Sequence, residues 1–210
     1  LRTTALVISV LLHPLLMATY TCLLLFFGIH DTVYDFLTPF DNKLRITFVV
    51  FMFSFVFPVV NILVLYKLKR IPSITLSERK DRTYPYIVTA LFYFGLFYLL
   101  MDVNIWPSIK LFIIGGGLAI LLTALVNLKY KISAHMVGLG GLLGILISVS
   151  YLIKFNMTPY YVAVIVAAGI TGTARLVLNE HRPAQLYLGF LMGLVIQAGL
   201  FFSFQTFTFA

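Results

Sequence analysis

The chain has 210 residues, of which 61% are hydrophobic, 16% aromatic and only 10% charged, with a mean hydropathy of +1.02. Soluble domains carry about 25% charged residues, and a fold of this size exposes too much surface to hide so much apolar material. Soluble enzymes, disordered chains and free-standing nucleic-acid-binding domains are excluded, so the net charge of +8 points to anionic headgroups, phosphates or a membrane surface rather than to nucleic acid.

Apolar runs of the ~20 residues that a transmembrane helix needs fall near 5–28, 46–66, 85–101, 108–128, 134–153, 160–178 and 185–205. None shows the alternation of a barrel strand. The first is too long for a signal-peptide core, and no small-residue cleavage site closes it, so it reads as a permanent helix. The third and fourth are joined by the short Asp102–Pro107 connection and form a tight hairpin. The expected fold is all-α: a polytopic membrane bundle, residues 1–210 forming one domain, with seven helices favoured and six the alternative. The single cysteine, Cys22, lies inside the first run, so no disulfide framework exists.

The connections differ sharply in charge. The loop after the second span carries Lys67, Lys69, Arg70, Glu78, Arg79, Lys80, Asp81 and Arg82. The loop after the fourth carries Lys129, Lys131, Ser133 and His135, and the loop after the sixth carries Arg175, Asn179, Glu180, His181 and Arg182. With seven spans these three loops share one membrane face. Only Lys43, Arg45, Lys110 and Lys154 of the 15 basic residues fall on the other, together with Asp31, Asp35, Asp41 and Asp102. The positive-inside rule places the basic face in the cytoplasm.

Two of these loops carry the residues of a phosphate site. Pro183 suits the first turn of the seventh helix, which puts His181 at a helix N-terminus, where free N–H groups favour an anion. Ser133 is the expected N-cap of the fifth helix, with His135 in its first turn. Arg175 offers bidentate donors to phosphate oxygens. Of two such histidines, a neutral one could attack phosphorus and a protonated one could donate to the leaving oxygen.

Ser133-Ala134-His135, followed about forty residues later by Ala174-Arg175-x5-His181, resembles the second and third motifs of the type-2 phosphatidic acid phosphatases. Those motifs read Ser-Gly-His and Ser-Arg-x5-His-x3-Asp, and the resemblance covers roughly residues 78–200. It implies that His181 is the nucleophile that forms a phosphohistidine, that His135 protonates the leaving group, and that Arg175 holds the phosphate with Ser133. The family's first motif, Lys-x6-Arg-Pro, is broken here. Arg79 and Arg82 are its nearest stand-ins, and Lys80 and Arg182 are further candidate phosphate ligands. Gln185 stands where the family has the aspartate that orients the nucleophile; its carbonyl can accept an imidazole N–H but cannot stabilise a positive ring.

The resemblance implies a phosphatase of the bacterial inner (cytoplasmic) membrane acting on a lipid phosphate such as phosphatidate, phosphatidylglycerophosphate or a polyprenyl diphosphate. It implies no cofactor and no metal, a phosphorylated lipid and the bilayer as partners, no nucleic acid, and compatibility with a homo-oligomer. The alternative is a non-catalytic relative that binds or moves a phosphorylated lipid. Most relatives work on the outer face, against the positive-inside reading, and setting aside the five candidate ligands Arg79, Lys80, Arg82, Arg175 and Arg182 leaves the basic count nearly balanced.

Other polar features have plainer readings. His13 precedes Pro14 inside the first span; as an intramembrane ionisable residue it is a functional candidate, and its plainer reading is a bond to a carbonyl freed by the proline. Gly140 with Gly144, Gly189 with Gly193, and Ala168 with Gly172 are small-xxx-small pairs expected to draw helices together. Gly115-Gly116-Gly117 has no lysine beside it and is no nucleotide loop. The histidines are too scattered for a metal site, and the tail from Phe201 to Phe209 reads as an interfacial anchor.

Overall fold

In lipid the backbone must satisfy its own polar groups, and continuous apolar runs do so as helices. The computed structural model describes residues 1–29, 38–76 and 78–208, with side chains to 204; His30, Asp31, Asp35 and Phe209 lie outside the described residues. Among the described residues there are seven helices long and apolar enough to cross a membrane. These are α1 (Arg2–Gly28), α2 (Phe40–Lys67), α3 (Thr83–Leu100), α4 (Pro107–Asn127), α5 (Ala134–Ile153), α6 (Thr158–Val177) and α7 (Pro183–Thr208). Their bounds agree with the apolar runs to within a few residues, except that α2 starts earlier, at Phe40. The architecture is that of a polytopic membrane bundle.

The long first helices are not uniform. Pro14 has no N–H to donate, and α1 breaks there, its regular segment Arg2–Leu11 giving way to a tight turn at Pro14–Leu16. His13 caps that turn: its Nδ1 accepts the Leu15 N–H at 3.3 Å. This corrects the expectation of a bond to a freed carbonyl, because the backbone after the proline presents an unpaired donor to the ring. Wide turns at Leu24–Gly28 and Met52–Val56 interrupt α1 and α2 again.

Backbone-to-backbone packing fixes α5 against α7. A Cβ on Gly140 would fall on the Phe190 carbonyl, and one on Gly193 on the Val137 carbonyl. A Cβ on Gly144 or Gly189 would lie 2.8 Å from the carbonyl of Leu194 or Ser133. Gly172 does not act this way, since a Cβ there would meet only side-chain atoms at 3.7 Å and beyond, while Ala168 is buried in the core. The mid-membrane glycines have separate partners: Gly115 makes room for Gln197, Gly116 for Tyr93 and Gly117 for Phe94. Phe201 is buried in the core rather than interfacial, while Phe202 and Phe204 are exposed.

Helix direction then decides which ends meet. Arg79 donates to the Leu128 carbonyl at 2.6 Å, and the Ser133 N–H reaches the Gln185 carbonyl at 3.4 Å. The starts of α3, α5 and α7 and the ends of α4 and α6 therefore share one face, the one on which the basic loops gather.

Candidate functional site

The loop between α6 and α7 is built by two helix caps in succession. Asn179 takes the left-handed conformation (φ 56°), which asparagine tolerates better than most residues. The N–H of Asn179 bonds to the Leu176 carbonyl and that of Glu180 to the Arg175 carbonyl, the paired bonds of a Schellman cap. Pro183 then opens α7. Gln185, three residues after Arg182, reaches back so that its Oε1 accepts the Arg182 N–H at 3.1 Å, half of a capping box. His181 is thereby held between the end of one helix and the start of the next.

The same Gln185 Oε1 lies 3.0 Å from His181 Nδ1. Because that oxygen accepts a backbone N–H, it is an acceptor, and His181 Nδ1 must be the donor. The neutral ring is thus the Nδ1–H tautomer, with its lone pair on Nε2. His181 is buried, and burial lowers its pKa from 6.5 to about 3, with Arg82, Arg175 and Lys131 pushing the same way and the Gln185 bond opposing them. At neutral pH it is an uncharged base.

Three of the cations around it share one carboxylate. Glu180 Oε2 lies 3.6 Å from Arg82 Nη2, 3.7 Å from Lys131 Nζ and 3.6 Å from Arg175 Nη2. A carboxylate shared by three cations leaves the cluster with more positive than negative charge at Glu180, an arrangement that could attract an anion. Burial, and after it Arg82, lowers the Lys131 pKa, while Glu180 opposes the shift. Arg175 Nε is buried without a hydrogen-bond partner among the described residues, a donor an anion's oxygen could take up.

The broken α1 supplies a further wall. His135 Nε2 donates to the Ser9 carbonyl at 3.0 Å, one turn ahead of the break at His13–Pro14. That bond leaves Nδ1 as the lone-pair atom of a neutral His135. The Ser9 hydroxyl accepts from Arg175 Nη1 at 3.4 Å, and the His13 ring stands edge-on to His135 with centroids 5.6 Å apart. His13, Arg82, His135, Arg175 and His181 all line one cavity of about 200 Å³, which continues past Thr89 and Ala119 to Gln197.

The sequence candidates divide. His135, Arg175, His181 and Arg82 meet at this cavity, and Gln185 orients one of them. Arg79 instead clamps the segment before α3 onto the end of α4, through Leu128 and through Asn127, whose amide donates to the Arg79 carbonyl. Lys80 and Arg182 are exposed. Ser133 is fully buried off the cavity wall, and its hydroxyl makes no cap bond. Ser9 and the three-cation hub at Glu180 were missed, and His13 was singled out only as an ionisable residue inside a span. Only the four-residue spacing of Ser9 and His13, one face of one helix, could have signalled them. No group of three or more metal-binding side chains occurs among the described residues. Comparison of the chain with protein-family models, curated proteins and solved structures finds no match.

Proposed function

We propose that this protein is a lipid phosphate phosphatase of the bacterial cytoplasmic membrane, hydrolysing a phosphate monoester or diphosphate through a phosphohistidine intermediate. The observation that carries this reading is His181, neutral, tied at Nδ1 by Gln185 and facing a cavity shared with Arg82, Arg175 and His135. Arg82 and Arg175 take the non-bridging oxygens of the phosphate. His181 Nε2 attacks phosphorus, forming the N–P bond as the P–O bond to the lipid breaks. The leaving oxygen takes the proton carried by the phosphate monoanion, relayed through Nδ1 of neutral His135, whose Nε2–H stays on the Ser9 carbonyl. Water then attacks the phosphohistidine, His135 takes a water proton, the N–P bond breaks, and inorganic phosphate leaves. The positive field that stabilises the transferring group comes from the chain's own cations.

A second reading has its own support. Gln185 is neutral, and two of the candidate ligands, Lys80 and Arg182, lie in solvent, which suits a protein that binds or moves a phosphorylated lipid without cleaving it. Purified protein in EDTA, given a panel of lipid phosphates and polyprenyl diphosphates, separates the two. Phosphate release that disappears in His181→Ala supports the phosphatase; binding without release supports the carrier.

A further inference from the structure

The cavity does not end at the cationic cluster. On α4 its wall includes Phe112, Gly116, Ala119, Ile120 and Thr123, a stretch of about 16 Å at 1.5 Å per residue, roughly half the ~30 Å hydrocarbon thickness of a bilayer. Three of its polar side chains already have hydrogen-bond partners in the protein. Thr89 and Thr123 donate to the Pro85 and Ala119 carbonyls of their own helices, and the Gln197 amide donates to the Leu111 carbonyl. Gly141, on the opposite wall, keeps the space open, since a Cβ there would meet nothing nearer than the Gly193 carbonyl at 3.9 Å.

We propose that this inner part is a binding site for a single hydrocarbon chain, the tail of the lipid whose phosphate occupies the cationic end. The assignment deepens the lipid-phosphate reading and rests on it for the headgroup. Continuity of one cavity from Arg82, Arg175 and His181 into the apolar interior joins headgroup and tail in a single ligand. The whole cavity, cationic end included, is about 200 Å³, little above the ~150 Å³ apolar cavity that takes one benzene, so the inner part admits a short length of one chain. One chain fits and two do not, so a two-chain lipid leaves its second tail in the bilayer, and single-chain alkyl or prenyl phosphates are the better-matched class.

The test uses the full chain in nanodiscs and three probes: inorganic phosphate, methylphosphonate and octylphosphonate, whose P–C bond is not a hydrolysable ester. In the wild type octylphosphonate binds at least ~10-fold tighter than methylphosphonate, a modest fraction of what burying its methylenes from water can yield. Gly141→Leu, which fills the inner space, lowers that advantage at least ~5-fold while phosphate and methylphosphonate affinities change by less than about 2-fold. Ala119→Leu, from a different helix, repeats the result. Partition of the octyl chain into the disc is common to all variants and cancels in the comparison. An advantage that survives both substitutions overturns the proposal, as does equal loss of methylphosphonate and octylphosphonate binding. If the advantage falls as expected but no lipid phosphate is hydrolysed, the chain site stands and the phosphatase reading fails. If hydrolysis is seen and the advantage is insensitive, the chain site fails alone.

Discussion

Replacing Gln185 by glutamate puts a negative charge on the atom that holds His181 without changing the length of the side chain. Glutamate is also the usual partner in a capping box, so the Arg182 N–H keeps its acceptor. At the 3.0 Å separation, Coulomb's law at an effective dielectric of ~20 gives at most ~5.5 kcal/mol. Carboxylates beside ionisable groups shift them by ~1–3 units. His181, held at about 3 in the wild type, is therefore expected to titrate between about 4 and 6 in Gln185→Glu. The direction follows from the proton balance. Between pH 6.5 and about 3 the folded wild-type ring binds fewer protons than the unfolded ring, so its contribution to stability is full above pH 6.5 and is lost as the pH falls through that window. The variant retains more of that stability at pH 5. Histidine-selective ¹⁵N NMR of the detergent-solubilised protein reads the midpoint and the tautomer without relying on activity. The wild-type His181 signal should keep an Nδ1–H pattern down to about pH 4. A wild-type midpoint near the ordinary histidine value, or an unchanged midpoint in Gln185→Glu, would refute the assignment of Gln185 as the orienting acceptor.

Gly193→Val forces a side chain onto the Val137 carbonyl and should destabilise the bundle by ~3 kcal/mol or more, read as a fall in thermal midpoint. Gly172→Ala meets only side-chain atoms at ordinary contact distance and should stay within about 0.5 kcal/mol of wild type in the same assay. Removing the shared counter-ion with Glu180→Gln should tighten inorganic phosphate binding at least ~5-fold, the ~1 kcal/mol that a unit charge exerts at about 4 Å even in water. Calorimetry showing weaker binding would contradict the charge balance at that hub. Arg82→Ala should abolish phosphate release, whereas Arg79→Ala, which frees the Leu128 carbonyl, should cost ~1 kcal/mol of stability with release largely retained. Equal losses of release would mean that both arginines hold the phosphate.

The seven helices were legible because each is an uninterrupted apolar run, and a run of that length has few alternatives in lipid. The shared face of His135, Arg175 and His181 was legible too, since alternating spans place even-numbered loops together whatever the packing. Arg79 and Arg82 could not be told apart in sequence. They sit three residues apart on either side of a tight turn, and only the position of the α4 C-terminus decides which one leaves the cavity. Ser9 and His13 reach His135 and Arg175 across more than a hundred residues, a pairing that no local periodicity encodes. Gln197 was hidden for a different reason: its amide is accommodated by Gly115, and a glycine triplet inside an apolar run signals close packing without naming the partner. The αL turn at Asn179 was visible as a loop residue, but its effect, aiming Glu180 at three cations and leaving His181 to Gln185, depends on all three loops at once.

The most direct test of the central claim is to trap the intermediate. Wild-type protein mixed with a ³²P-labelled lipid phosphate in EDTA and quenched in alkali, which preserves phosphohistidine, should carry label on the peptide containing His181. The label should be absent in His181→Ala, and in His135→Ala it should form more slowly but persist longer, since that variant lacks the group that serves both steps. Phosphate release from the wild type without label on His181, or label on another residue, would contradict the account.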